Sequence, residues 1–483
     1  MLEAKEKSHP TDFSRPPRVR ATIPMLGNAI SMLGDPLGFS TRIRQDYGNI
    51  ARVSLGRKEI VFLQGADGIR QILWEKGDVY PKPDLGMATL EPLLGKSVAT
   101  LTDNAAWEHA RKFALPLFTA KMLKSYFMEA VVSVEREIEE LHKLADSGEI
   151  VDIYEFMHEA TFRVLIRTVF RVGFSDEQIR EMINLFDQAT SYINARYLTL
   201  GMPVTWVIPT ARRGKRALER LNELVYKLIG ERKCTLQTGA ESADMLDVLL
   251  RAELPDGSRL SDKEVRDNCM TMLFGGHETT AGSLTWTWGL LSANPEKRRL
   301  MEKNVDNVLG KRVPEDFADL ESLDYVRNCF SEAMRLYPMF GFLFREASID
   351  DIVEGHRIKS GDIIAFSAYT VQHAPDLWDQ PERFIPERHE PAAAKERHKS
   401  SYLPFSQGKR GCVGERMAKM EATLMLAMIS QKFELDLVGE LPQARVRMSV
   451  KPVGGMLMRV KRRQLNIRPS AGQTGQSVQV PLP

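Results

Sequence analysis

The chain has 483 residues, 66 Lys plus Arg against 64 Asp plus Glu for a net charge of +2, and 43% hydrophobic residues. So even a balance gives no general attraction for nucleic acid or another polyanion, and four scattered cysteines (Cys234, Cys269, Cys329, Cys412) exclude a disulfide framework. The length allows a large buried core, the N-terminus MLEAKEKSHP has no apolar signal core, and no run of eighteen apolar residues marks a membrane span.

In chain order, residues 1–15 read as a flexible lead, followed by an extended stretch set by Pro16, Pro17, Pro24 and Gly27. Residues 50–65 hold two β-rich runs about Gly56-Arg57-Lys58, a hairpin pattern. From there to about residue 300 the pattern is mostly helical, with no Gly/Ser linker dividing it. One helix carries Trp107 and Arg111 a turn apart. Residues 197–209 (YLTLGMPVTWVIP) are unusually apolar for a connection, and Arg212, Arg213, Lys215 and Arg216 follow. Those two features suit a substrate-entry lid or a membrane-surface contact; a solvated basic helix face is the plainer reading.

A long helix starts at the capping box Ser261 to Glu264 and contains Phe274-Gly275-Gly276-His277-Glu278-Thr279-Thr280. Two adjacent glycines in a helix cost about 1 kcal/mol each against Ala, and buried Glu-Thr-Thr adds a polar penalty. Local rules broken twice in one place indicate a functional site, set against a plain kink whose hydroxyls bond the preceding turn. Glu332 and Arg335 then share a helix face, which on a surface means little; Pro381-Glu382-Arg383-Phe384 comes later. Short strand-like runs follow residue 350, and a loop-rich stretch leads to Phe405-Ser406-Gln407-Gly408-Lys409-Arg410-Gly411-Cys412-Val413-Gly414. Residues 416–429 (RMAKMEATLMLAMI) predict a buried helix, and 469–483 a disordered tail.

Cys412 therefore lies just ahead of a helix N-terminus, where backbone N–H groups and the dipole favour a thiolate. Arg410 adds positive charge that lowers its pKa or binds an anion. A buried structural cysteine is the usual reading of an isolated Cys, but F-x-x-G-x-R-x-C-x-G constrains five positions in ten. That stretch resembles the haem-ligand loop of the cytochrome P450 family, with Cys412 as the thiolate that ligates haem iron.

The resemblance extends from about residue 16 to 468, with four motifs in the family's order. It implies a mainly α fold with a small β region in one domain over 16–468, and a haem b cofactor. It makes Glu278 and Thr279 the catalytic acid–alcohol pair that relays protons on the distal face, with Gly275 and Gly276 leaving room there and His277 incidental. Trp107, Arg111, Arg345 and Arg410 are implied as propionate contacts. Phe405 and Gly414 belong to the haem loop, and Lys409 to the face where an electron donor docks. Glu332, Arg335 and Arg383 are implied as a buried charge network shaping that loop. Substrate contacts are implied in 85–101, at Phe274 and Gly275, in 339–344 with Phe340 and Phe342, and in 453–456 with Met456.

The expected function is a monooxygenase that inserts one atom of O2 into an apolar fatty acid, terpenoid, steroid or polyketide. Its electrons would come from a separate donor, a ferredoxin with its reductase or a flavoprotein reductase. A cytoplasmic monomer, peripheral to a membrane at most, is expected. Two alternatives remain: a peroxide-using or non-oxygenase haem-thiolate enzyme, which the Glu278-Thr279 pair argues against, and a non-catalytic haem sensor.

Overall fold

Helices carry most of the chain, and the helix Asp262–Ala293 runs through their middle. The computed structural model describes residues 13–23, 25–56, 58–171, 174–198, 208–237, 244–253, 257–446 and 449–464. The expected lead, apart from residues 13–15, and the expected tail lie outside them, as do residues 199–207 of the apolar stretch.

The central helix begins where the sequence indicates. Ser261 Oγ accepts from Glu264 N at 3.3 Å and Glu264 Oε2 accepts from Ser261 N at 2.8 Å, a reciprocal cap. The helix is buried on most of its circumference, which only a helix in the middle of a domain tolerates. It stays continuous through Gly275 and Gly276. Its hydroxyls look after themselves: Thr279, Ser283, Thr285 and Thr287 each donate to the carbonyl four residues back. Around it pack Ile153–Leu165, Pro209–Gln237, Asp324–Leu336 and Glu415–Lys432. Trp286 stacks on Tyr337 with ring centroids 3.8 Å apart.

The expected hairpin is present as Ile50–Leu55 against Lys58–Leu63, with Ile50 opposite Leu63. Ile363–Phe366 joins it in parallel and Leu343–Glu346 closes the sheet in antiparallel register, Arg345 opposite Ile364. The strand-like runs after residue 350 pair as Asp351–Val353 with His356–Ile358. Glu354 and Gly355 turn between them with φ of 49° and 72°, both in the left-handed region that two-residue hairpin loops require. A three-stranded sheet joins Ile150–Asp152, Leu457–Arg462 and Phe433–Leu437, and a short hairpin pairs Ala444–Val446 with Val450–Pro452. Among the described residues no helix is long and apolar enough to cross a membrane.

The buried charge network exists but with a different third member. Glu332 and Arg335 are both 0% exposed and joined by two 2.9 Å hydrogen bonds. The expected third member, Arg383, offers only its backbone carbonyl to Arg335, while its guanidinium turns to Gln380 at the surface. Arg388 and His389 reach Glu332 instead, at 3.2 and 2.9 Å, with Ile385 N at 3.0 Å. The chain spells Pro-Glu-Arg twice, at 381–383 and 386–388, and only the second copy follows the turn that faces the Asp324–Leu336 helix. Burial pushes the Glu332 carboxyl up, but the hydrogen bonds from His389 and Arg335 outweigh it and hold the pKa below its ordinary value.

This network reaches the cysteine loop through one glutamine. Arg335 donates to Gln372 O at 2.7 Å, Gln372 Nε2 donates to the carbonyls of Met334 and Arg335, and Gln372 Oε1 accepts from Leu403 N at 2.7 Å. Tyr402 adds a hydrogen bond to Ser331 O. The chain entering residues 405–414 is thus anchored on the Glu332 helix.

Candidate active site

The loop 405–414 is folded by its own backbone. Cys412 N donates to Phe405 O at 2.9 Å and Gly411 N to Gly408 O at 3.0 Å, while Ser406 and Gly408 take positive φ of 56° and 70°. A Cβ on Gly408 would lie 1.8 Å from the Leu73 carbonyl oxygen, so the position requires glycine on both counts. The helix Glu415–Lys432 starts directly afterwards, and the N–H groups of Gly414 and Glu415 donate to the Cys412 sulfur.

Those donors do not by themselves make a thiolate. Burial pushes the Cys412 thiol up, against the pull of the two N–H groups and of Arg111. Arg410, read as either lowering the thiol pKa or binding an anion, lies over the Trp107 ring at 4.4 Å and donates to Leu101 O, Thr102 O and Asn104 Oδ1. Coordination to a metal would deprotonate the thiol outright.

Cys412 opens onto a cavity of ≈ 990 Å³ with mostly apolar walls. The central helix forms the wall with Gly275, Gly276, Thr279 and Thr280. A Cβ on Gly275 would meet nothing within 4 Å, so this glycine leaves open space, whereas one on Gly276 would press on Leu165 at 2.9 Å. Thr279 faces the cavity with its hydroxyl donating to Gly275 O at 2.9 Å.

Four cations border the same cavity: Lys82, Arg111, Arg345 and Arg410. Among the described residues none is ion-paired to a carboxylate. Lys82 donates to Ala99 O, Arg111 to Gly411 O and Arg345 to its neighbour Phe344 O. Burial and the neighbouring guanidinium groups push Lys82 down to about 7, and burial with Arg410 pushes Arg345 to about 10. Buried charges without counter-charges are costly, so this rim is built for an anionic ligand. A haem fits the set: Cys412 for iron, apolar walls for the porphyrin, and cations for two propionates. Lys82 was not legible in the sequence, since a lysine between two prolines carries no pattern. Replacing Arg345 and Lys82 together by Leu should stabilise the empty protein and weaken haem retention at least tenfold, measured by haem transfer to apomyoglobin.

The remaining expected residues divide. Trp107, Phe274, Phe340, Phe342, Phe405 and Gly414 line the cavity, as do Met32, Leu33 and Val446, which no motif marked. Met456 does not: it is 0% exposed, packed on Gly289 of the central helix, with its N–H bonded to Asp152. Lys409 is on the surface, paired to Asp78 at 2.7 Å. Arg212, Arg213, Lys215 and Arg216 are exposed at the start of Pro209–Gln237.

Glu278 departs most from its expected place. It is absent from the cavity wall, because successive helical residues point about 100° apart and Thr279 takes the cavity direction. Its Oε1 accepts from Ser449 at 2.5 Å, just before the Val450–Pro452 strand, and pairs with Lys451 of that strand at 3.1 Å. Burial raises its pKa, but the surrounding His158, Lys451 and His277 and the Ser449 hydroxyl prevail and hold it well below the ordinary range. His277 packs away from the cavity floor, against Phe162 and Phe186.

A family model, that of cytochrome P450, matches residues 16–467. Cyclooctat-9-en-7-ol 5-monooxygenase of Streptomyces melanosporofaciens is 31% identical over 86% of this chain and 88% of its own length. Cyclooctatin synthase of the same organism is 30% identical over 86% and 88%. The chloroplastic carotene epsilon-monooxygenase of Arabidopsis thaliana is 28% identical over 86% and 80%. With a cysteine at the floor of an apolar cavity, a cationic rim and a family match over nearly its whole length, the chain belongs to the cytochrome P450 family and is a haem-thiolate monooxygenase.

Proposed function

We propose that this monooxygenase hydroxylates or epoxidises a bulky cyclic terpenoid, in preference to a fatty acid, steroid or polyketide. The overall change is RH + O2 + 2 e⁻ + 2 H⁺ → ROH + H2O, with both electrons delivered by a separate ferredoxin or flavoprotein reductase. The observation that carries the substrate class is the cavity beside Cys412, whose walls include Met87, Leu90, Phe274, Met339, Phe340 and Phe342. Aromatic and thioether walls select apolar bulk and offer little to orient a carboxylate. A cyclic alkenol and a carotene in the names of two relatives support the same class.

Bound haem supplies the activation of dioxygen, and its cysteinate ligand pushes electron density that favours O–O cleavage. Cys412 would hold the iron. The Thr279 hydroxyl, at the cavity wall, both donates and accepts, so it positions a proton at the reacting side. Glu278 holds a charge behind it, linked through Lys451 (3.1 Å) and Asp187 (3.4 Å) toward solvent. Lys409 belongs to the surface that meets the electron donor.

Titration of the ferric protein with cyclic terpenes and with fatty acids tests the substrate class. A saturable low-spin to high-spin Soret shift with the terpenes is expected. A shift with fatty acids alone, or with neither, contradicts it.

A further inference from the structure

Behind the central helix, on the side away from Cys412, three metal-capable side chains converge. His158 and His277 are each 1% exposed and Glu278 is 5% exposed, and one donor atom from each lies within 4.8 Å of the other two. His158 comes from Ile153–Leu165 and the other two from the central helix. Among the described residues both ring nitrogens of His158 lack any hydrogen-bond partner, which is rare for a buried polar group. We propose that His158, His277 and Glu278 form a site for a single zinc ion, a His2Glu set completed by water.

The geometry favours an ion over a direct contact. His158 Nε2 and Glu278 Oε2 are 3.6 Å apart, too long for a hydrogen bond. Two ligands of one tetrahedral zinc, with bonds of about 2.0–2.2 Å, stand about 3.4 Å apart. His277 is already oriented: its Nδ1 donates to Leu273 O at 2.5 Å, which leaves Nε2 with a free lone pair. Glu278 keeps Oε1 on Ser449 and Lys451 and turns Oε2 to His158.

The electrostatic balance also admits a cation. Lys451 pairs with both Glu278 Oε1 and Asp187, so its one positive charge is shared between two carboxyl groups. Lys451 lies on the opposite oxygen of Glu278 from His158, so it does not occupy the ion's position. Asp187, with its side chain 44% exposed, marks the entry from solvent. Ligation of Oε2 would draw on the negative charge that Glu278 holds behind Thr279, so zinc would slow proton delivery and act as a reversible inhibitor.

The test is calorimetric titration of zinc chloride into haem-loaded protein stripped with a chelator. One ion per chain with micromolar affinity is expected, falling at least tenfold in His158→Phe, which retains a ring packed at a tilt against Tyr154 (centroids 4.3 Å apart in the parent). Haem content and the carbon monoxide spectrum verify that the variant is folded. No saturable binding, or binding unchanged in a folded His158→Phe, overturns the proposal. Zinc-edge X-ray absorption of the parent protein decides independently if the variant fails to fold. Two imidazoles in an N/O shell support the site, and a sulfur ligand or a shell without imidazole refutes it.

Discussion

Glu332→Ala should destabilise the protein by about 3–5 kcal/mol and abolish haem uptake at 37 °C, because it leaves the Arg335 guanidinium buried without its carboxylate. Four groups lose their acceptor at once: Arg335, Arg388, His389 and the Ile385 N–H. The damage should travel, since Arg335 also positions Gln372 and Gln372 holds Leu403 at the entrance to the cysteine loop. Arg388→Ala should show part of this loss, about 1–3 kcal/mol for a charged group removed from a buried acceptor. Arg383→Ala should leave stability and haem content unchanged, because among the described residues that side chain bonds only Gln380 at the surface. Urea unfolding of the three variants, read alongside haem content, separates the two Pro-Glu-Arg copies. Equal losses for Arg383→Ala and Arg388→Ala would contradict the network as drawn.

Glu278→Gln should lower the product-forming rate by about 10²-fold, the scale of a positioned proton-transfer group, while substrate affinity stays near that of the parent. The amide keeps the bond from Ser449 but loses the ion pair to Lys451 and the charge that the surrounding groups stabilise. Because Glu278 is absent from the cavity wall, the substrate-induced spin shift should keep its midpoint. A midpoint moved tenfold or more with an unchanged rate would mean that the residue shapes the pocket instead. Steady-state turnover and Soret titration on the same preparation distinguish the two. Lys451→Ala should repeat the rate effect in weaker form, since Ser449 still holds the carboxylate.

What was legible in the sequence was local. The capping box at Ser261 and the hairpin at 50–65 are each specified by residues a few positions apart, and each appears where the pattern put it. The double glycine was legible too, as an irregularity that indicated a functional site, and Gly275 meets open space while Gly276 packs on Leu165. The failures are all tertiary. Which Pro-Glu-Arg meets Glu332 depends on how a loop returns to a helix, and periodicity does not contain that. Glu278 and Thr279 are neighbours in the chain but belong to opposite chemical environments, and Ser449 and Lys451, some 170 residues later, decide which way the acid faces. Lys82 became visible only when three guanidinium groups were found around it. Met456 read as a pocket residue by its order along the chain, yet it fills the gap beside Gly289.

The central claim is that Cys412 is a thiolate ligand to haem iron. Dithionite-reduced protein under carbon monoxide tests it most directly. The account predicts the strongly red-shifted Soret band of a thiolate-ligated carbonyl haem, lost in Cys412→Ser with Arg111 and Arg410 left in place. A reduced carbonyl spectrum without that shift in folded, haem-loaded parent protein, or the same shifted band surviving in Cys412→Ser, would contradict it.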